Sequence, residues 1–410
     1  MKRKLLVTAI SLCVLTGMSA CTPKEKSQAS KTEIVKVGTN EDQQAESNLP
    51  MEQVWYEGEK PFVFDYHKDY PVTDIKLSDM AKVTYVQLET REDVLLRLRG
   101  SCSSNETCMT DEHIYLNEEQ SQLYVFTHDG KFVRCIDRQG GGPGEYLFIY
   151  SFVVDTSRRN LFISDRWRKK LKVYDMEGTF LREHDHTLSE IVSLNDSLLV
   201  GYDGKNKGKG HFMVLRKSDG ALLTKLPFNL NKPYYEDIER MQYGRLTTTP
   251  KGVLMASMAS DTIFEVRKDL SFLPRMVDAS NYGTSLARAL PTMETERYLM
   301  FYVFRAHNMK VNLEERFYVY DKKEHQIYQM RPSKNDSYWR LLDNTPHLNN
   351  WSKSQNPNVA IRTRLVHSVD HEFVRKHGSP ELNRLVREAE EDANPILEIM
   401  KFHSVDTVKK

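Results

Sequence analysis

The run Asp165-Arg166-Trp167-Arg168-Lys169-Lys170 sets one aromatic ring among four cations. Such a cluster can stack on a sugar or grip an anionic glycan, which makes Arg166, Trp167 and Arg168 candidate ligand contacts. A solvated basic turn between two strands is the plain alternative. Gly140-Gly-Gly-Pro-Gly144 could turn backbone N–H groups toward an anion. It lacks both the strand–helix setting of a dinucleotide fingerprint and the Gly-Lys-Ser/Thr ending of a phosphate loop, and Pro143 removes a donor, so a tight connection between strands is expected. His184 and His186 are metal-ligand types two positions apart on an extended segment, with no third ligand in view. His371-Glu372 opens like a zincin helix, but Arg375 stands where the second histidine belongs. No G-x-S-x-G nucleophile elbow occurs. These residues imply no metal, cofactor or catalytic side chain.

The chain has five cysteines. Cys13 and Cys21 belong to the N-terminal region, which leaves Cys102, Cys108 and Cys135. Cys102 and Cys108 could close a short loop by a disulfide worth roughly 2 kcal/mol in the chain-entropy estimate. Three reduced or buried thiols are the alternative, and one cysteine stays unpaired either way.

Elements that would position these residues show up as a repeat. Leu123-Tyr-Val-Phe-Thr-His-Asp-Gly-Lys-Phe-Val-Arg-Cys-Ile-Asp137 aligns with Leu171-Lys-Val-Tyr-Asp-Met-Glu-Gly-Thr-Phe-Leu-Arg-Glu-His-Asp185, with Leu, Val, Gly, Phe, Arg and Asp in register. Each copy reads as strand, turn, strand, the signature of a β-hairpin. Further copies lie at Phe212–Thr224, Asp261–Ser271 and Arg316–Tyr328. Upstream of the first two sit short strands at His113–Leu116 and Asn160–Ser164. The spacing is that of a four-stranded propeller blade, and five hairpins plus strands from both chain ends predict six blades. A stacked solenoid would need much shorter rungs. Closure into a ring buries each blade against its neighbours and leaves only short edges. Pro61–Phe64 or Lys82–Leu88 could seal the ring against Pro395–Phe402. Ser379 as N-cap, Pro380, and Leu382, Leu385, Val386 and Ala389 on one face predict a short amphipathic helix, ended by Asn394-Pro395 and docked between late strands.

The N-terminus carries an address. Lys2, Arg3 and Lys4 precede an apolar stretch from Leu5 to Gly17, too short to cross a bilayer but suited to a signal peptide. Met18-Ser19-Ala20-Cys21 resembles a bacterial lipobox, which implies cleavage before Cys21 and acylation of its thiol; an ordinary secretory signal with an incidental cysteine is the alternative. Residues 22–50 are polar and lack aromatics, as a flexible tether would. The expected organisation is a leader over 1–20, lipidated cysteine and tether over 21–50, and one propeller over 51–410. Lys+Arg 58 against Asp+Glu 57 argues against a general nucleic-acid coat.

Arg138-Gln-Gly-Gly-Gly-Pro-Gly-Glu-Tyr146, the following Asp155 and Ile163-Ser-Asp-Arg166 resemble the six-bladed β-propeller lipoproteins of Bacteroidota, which are similar to NHL-repeat propellers. Leu77–Met80, Tyr85–Thr90, Ser260–Phe264 and Glu391–Pro395 extend the likeness over most of the chain. It implies an exported protein of the cell envelope, facing the periplasm or the surface, and carries over no catalytic residue. Repeat, tether and the lack of a catalytic constellation together predict a binding or scaffold module for an envelope protein, a peptide or a glycan. The competing class is a propeller enzyme of the metal-dependent lactonase or lyase type, with its site in the central channel.

Overall fold

The computed structural model of the chain describes residues 60–73, 80–96, 107–203, 211–226, 244–257, 260–280, 287–305, 316–330, 352–353, 356–366, 369 and 371–403. All belong to one compact unit spanning 45–410. The expected leader, Cys21 and tether lie outside the described residues. Among those described, no helix is long and apolar enough to cross a membrane.

Three N-terminal strands come first: β1 (Phe62–Phe64), β2 (Val72–Thr73) and β3 (Ala81–Gln87). Blade 1 then comprises β4 (Thr107–Met109), β5 (Ile114–Glu118), β6 (Gln122–Phe126) and β7 (Phe132–Asp137). Blade 2 comprises β8 (Ser151–Asp155), β9 (Asn160–Asp165), β10 (Lys170–Asp175) and β11 (Phe180–His184). Blade 3 runs through β12 (Glu190–Ser193), β13 (Leu198–Asp203), β14 (His211–Arg216) and β15 (Leu222–Leu226). Blade 4 is β16 (Gly244–Thr248), β17 (Gly252–Ser257), β18 (Thr262–Arg267) and β19 (Phe272–Asp278). Blade 5 is β20 (Ala287–Glu294), β21 (Tyr298–Arg305), β22 (Phe317–Asp321) and β23 (Gln326–Met330). Blade 6 joins β24 (Ser352–Lys353), β25 (Val359–Arg364) and β26 (Ile396–Phe402) to β3 as its outermost strand. The protein is a six-bladed β-propeller.

Period-two alternation builds the cores. Within β8, Val154 packs with Tyr115 and Leu123 of blade 1, whereas Val153 packs with Ile191 and Met213 of blade 3. Every strand near the axis is therefore covered on both faces, and β5 and β8 are buried at all five positions. Outermost β11 has no buried residue. Six such interblade cores occur, and the one joining Leu397 and Ile399 to Ile114 and Leu116 closes the ring.

Each sequence hairpin is the third and fourth strand of a blade. Four of them share a bulge, between Val125 and Phe126, Val173 and Tyr174, Val214 and Leu215, and Ile263 and Phe264. A bulge tightens the twist where the blade meets solvent. The repeated turn glycine has a steric cause at Gly178: φ is +87°, and an added Cβ would lie 2.7 Å from Ile136 Cγ2 of the preceding blade.

Closure uses Lys82–Leu88 rather than Pro61–Phe64: β3 pairs antiparallel with β26, from Ala81 opposite Phe402 to Gln87 opposite Ile396. β1 instead adds a parallel fifth strand to blade 4 beside β19, and β2 does the same for blade 5 beside β23. Phe64, Tyr66 and Tyr70 fill the core between those two blades.

Two helices separate β25 from β26: α1 (His371–His377) and α2 (Pro380–Glu388). Ser379 caps α2 by accepting from Leu382 N–H at 3.1 Å, and Leu382 and Val386 bury against Tyr85 and Ile396. The helix ends at Glu388, short of Asn394-Pro395. Asn394 has another task. Its side chain accepts from Leu96 N–H and donates to the Glu89 and Val94 carbonyls, pinning the segment after β3.

Candidate functional site

Blade strands run alternately toward and away from each end of the ring, so the loops gather in two sets. Arg166 and Trp167 sit in the turn after β9, at the end where β8 begins. The two arginines of this turn divide. Arg168 is committed inward: its guanidinium donates to the carbonyls of Gly140 (2.9 Å), Glu145 (3.2 Å) and Gly142 (3.4 Å). The Arg166 guanidinium lies 5.1 Å from the Tyr150 ring centroid and donates to its hydroxyl at 3.0 Å. Trp167 is 63% exposed.

The glycine-rich loop is a connection between blades, and its own glutamate occupies the anion position. Gly142 N–H donates to Glu145 Oε2 at 2.5 Å, and a Cβ on Gly140 would strike that oxygen. Tyr146 is fully buried beneath the loop and donates to the Ser121 carbonyl at 2.8 Å, while the Tyr174 hydroxyl donates to the Gly144 carbonyl at 2.9 Å. Burial holds both phenols above the usual tyrosine range. Leu147 N–H donates to buried Asp165 at 2.9 Å, which carries Leu147 and Phe148 to the Arg166 turn. Leu147, Phe148, Tyr150, Arg166 and Trp167 thus form a patch at the start of blade 2.

His184 and His186 both serve the next blade. His184 packs its ring on Gly220, where burial and neighbouring Arg182 hold it below the usual histidine range. His186 Nε2 donates to the Gly220 carbonyl at 2.7 Å. His371 and Glu372 lie in α1, away from both. Among the described residues, no three His, Cys, Asp or Glu side chains converge as a metal set. Cys108 is half-buried on β4, with burial pushing its thiol up to about 12. Its candidate partner Cys102 lies outside the described residues.

At the other end of the ring is a cavity of about 280 Å³, bordered by the first strands of blades 1 to 4. Buried Lys217, one residue past β14, reaches from blade 3 to Asp155 at the end of β8, with Nζ 3.0 Å from Oδ2 and 2.9 Å from Ser193 Oγ. Burial pushes the Lys217 ammonium below the usual lysine range against the pull of Asp155. Asp155 Oδ1 accepts from Ser157 Oγ at 2.7 Å and from Arg158 N–H at 3.2 Å. Nothing in the sequence marks Lys217, which reads as one more cation in an Arg-Lys-Ser-Asp-Gly turn.

The sequence matches a family described as a domain of unknown function, DUF4934, over residues 61–401. No curated protein matches it. Among solved structures, a Bacteroides fragilis protein described as exported aligns with a TM-score of 0.62 at 18% identity, covering 84% of this chain and all of that one. A DUF4221 member from Bacteroides vulgatus aligns at 0.46 and 8% identity, covering 79% of this chain and 98% of its own. Virginiamycin B lyase from Staphylococcus aureus aligns at 0.38 and 8% identity, covering 78% and 99%.

Proposed function

We propose that this chain, which belongs to the DUF4934 family, is an exported, lipid-anchored binding module that docks a neighbouring envelope protein through blade 2. One observation carries the reading. Of eight large apolar side chains exposed among the described residues, Leu147, Phe148 and Trp167 gather at the end of blade 2 where β8 begins, while Phe180 and Leu181 lie on the outer strand β11, Phe180 opposite Tyr174. Apolar surface concentrated in this way marks interaction sites, and Trp, Tyr and Arg are the residue types that dominate binding energy at them. Arg166 and Lys169 flank the patch, and the buried Asp165 carboxylate beneath it accepts from the Leu147 and Arg168 amides. The partner segment is therefore apolar at its centre. Envelope address and NHL-like kinship rest on the leader, the lipobox ending in Cys21 and the repeat. The exported B. fragilis protein of the same fold supports the address.

A photo-crosslinking residue at position 167 tests the docking in intact cells, with position 95, exposed on another part of the ring, as control. A discrete adduct from 167 and none from 95 is expected, weakened by Arg166→Glu. Equal adducts at both positions would refute the site. Cys21→Ala should abolish lipid labelling and release the protein from membranes.

A further inference from the structure

We propose that the joint between blades 2 and 3 is an acid-operated clasp, closed while the His184 ring is uncharged and loosened when it takes a proton. It is a property of the ring separate from the docking reading above. Three side chains at alternate positions of β11 and its tail hold the turn after β14. Arg182 Nη2 donates to the Lys217 carbonyl at 3.0 Å and His186 Nε2 to the Gly220 carbonyl at 2.7 Å. The His184 ring, between them in sequence, packs on Gly220, where an added Cβ would lie 2.2 Å from its Cγ. The joint between blades 1 and 2 is built the same way from other residues. Arg134 and Arg138 hold the Met176 and Gly178 carbonyls, and Ile136 packs on Gly178. Where the first joint sets an isoleucine, uncharged at any pH, the second sets a histidine, whose unperturbed value is ~6.5.

The surroundings oppose a charge on that ring. His184 Nε2 is buried without a hydrogen-bond partner among the described residues, so a proton there makes a buried donor with nothing to receive it. Arg182, a permanent cation, and His186 flank the ring from its own segment. The two carboxylates within reach are already engaged. Asp185 pairs with Lys170 Nζ of β10 at 2.7 Å, and Asp219, in the turn after β14, with Arg216 Nη1 at 3.2 Å. Lys217, the other cation of that turn, is directed to Asp155 at 3.0 Å. Burial, then Arg182 and His186, hold the ring below the usual histidine range against the pull of Asp219 and Asp185. The unfolded chain therefore binds more protons than the native one as pH falls below ~6.5. The stability that neutral His184 contributes is complete above that value and is lost in acid. What the ring holds is the Gly220 turn, so the loss falls first on the hairpin of β14 and β15.

Hydrogen exchange on the full-length chain tests the clasp, comparing pH ~7 with pH ~5, where ordinary carboxylates remain mostly ionised. After correction for intrinsic rates, the amides of residues 216–221 should exchange several-fold faster at the lower pH. His184→Ile, which copies the first joint, should remove that acceleration. His113→Gln, which removes the other histidine that burial holds low, should keep it. In the unaltered protein, the NMR signal of the His184 ring should titrate with a midpoint below ~6.5, a reading that stands even if His184→Ile does not fold. Unchanged exchange at 216–221, an acceleration that persists in folded His184→Ile, or a ring midpoint at or above ~6.5 overturns the clasp.

Discussion

Arg134 and Arg182 make the same contact one blade apart. Arg134 Nε donates to the Met176 carbonyl at 3.0 Å and Arg182 Nη2 to the Lys217 carbonyl at 3.0 Å, each holding the turn after the third strand of the next blade. Arg138 and His186 repeat the pattern on the carbonyls of Gly178 and Gly220. The sequence repeat is a clasp between blades. Arg182→Met should lower unfolding free energy by about 1.5–3 kcal/mol, as expected for a hydrogen bond from a charged group, and adding Arg134→Met should cost a similar further amount. Urea titration reads both, and a double loss no larger than a single one would show that the contacts are not separate.

Gly178→Ala should destabilise by about 1–3 kcal/mol through its left-handed backbone and the contact with Ile136. Gly141→Ala, whose nearest neighbour is Arg168 Nη2 at 3.9 Å, should be tolerated. Thermal melts of the two side by side decide it.

Lys217 and Asp155 bind blade 3 to blade 2 as a buried pair, 2% and 4% exposed. Lys217→Met strands a buried carboxylate and should cost about 3–5 kcal/mol, most of it recovered in Asp155→Asn/Lys217→Met. A double variant as weak as the single one would mean that shape, not charge, holds the seam.

Alkaline stability follows from the phenols. Burial raises Tyr146, Tyr174 and Tyr318 above the usual range and pushes Tyr115 and Tyr202 up to about 12. In the unfolded chain each ionises near ~10. The native state therefore holds more protons above that value, and the stability these groups contribute is complete below pH ~10 and lost as pH climbs through 12. Lys217 acts in the opposite sense, because its lowered value makes stability rise with pH until the unfolded lysine titrates near ~10.4. Tyrosine absorbance and circular dichroism should change together between pH ~10 and ~12. Ionisation of all 20 tyrosines near pH 10 with the strands intact would contradict this.

Deleting residues 1–50 should leave the melting temperature unchanged, whereas deleting 1–66 removes β1 with Phe64 and Tyr66. Phe64 is fully buried between blades 4 and 5, so Phe64→Ala alone should cost about 3–5 kcal/mol. Equal stability of the two truncations would show β1 to be dispensable.

Much of the ring was legible because its signals are local. Turn glycines, alternating apolar residues and the recurring arginine all fall within one hairpin, and the α2 cap lies three residues from its partner. What escaped depends on distance. Nothing near Arg168 says that its guanidinium will be taken up by the loop around Gly140, and nothing near Phe62–Phe64 says that a parallel partner waits at Met276–Asp278. Lys217 and Asp155 meet only because neighbouring blades turn their loops to one end.

Because β1 lies along blade 4 while β3 completes blade 6, the chain touches the ring twice before it locks it. Strain arriving from the N-terminal side reaches the β1–β19 pairing first, and that parallel pairing resists as a lap joint, with its bonds sharing the load. The closing seam is shielded behind it, so a tug from upstream can strip an outer strip of blade 4 while the circle stays shut.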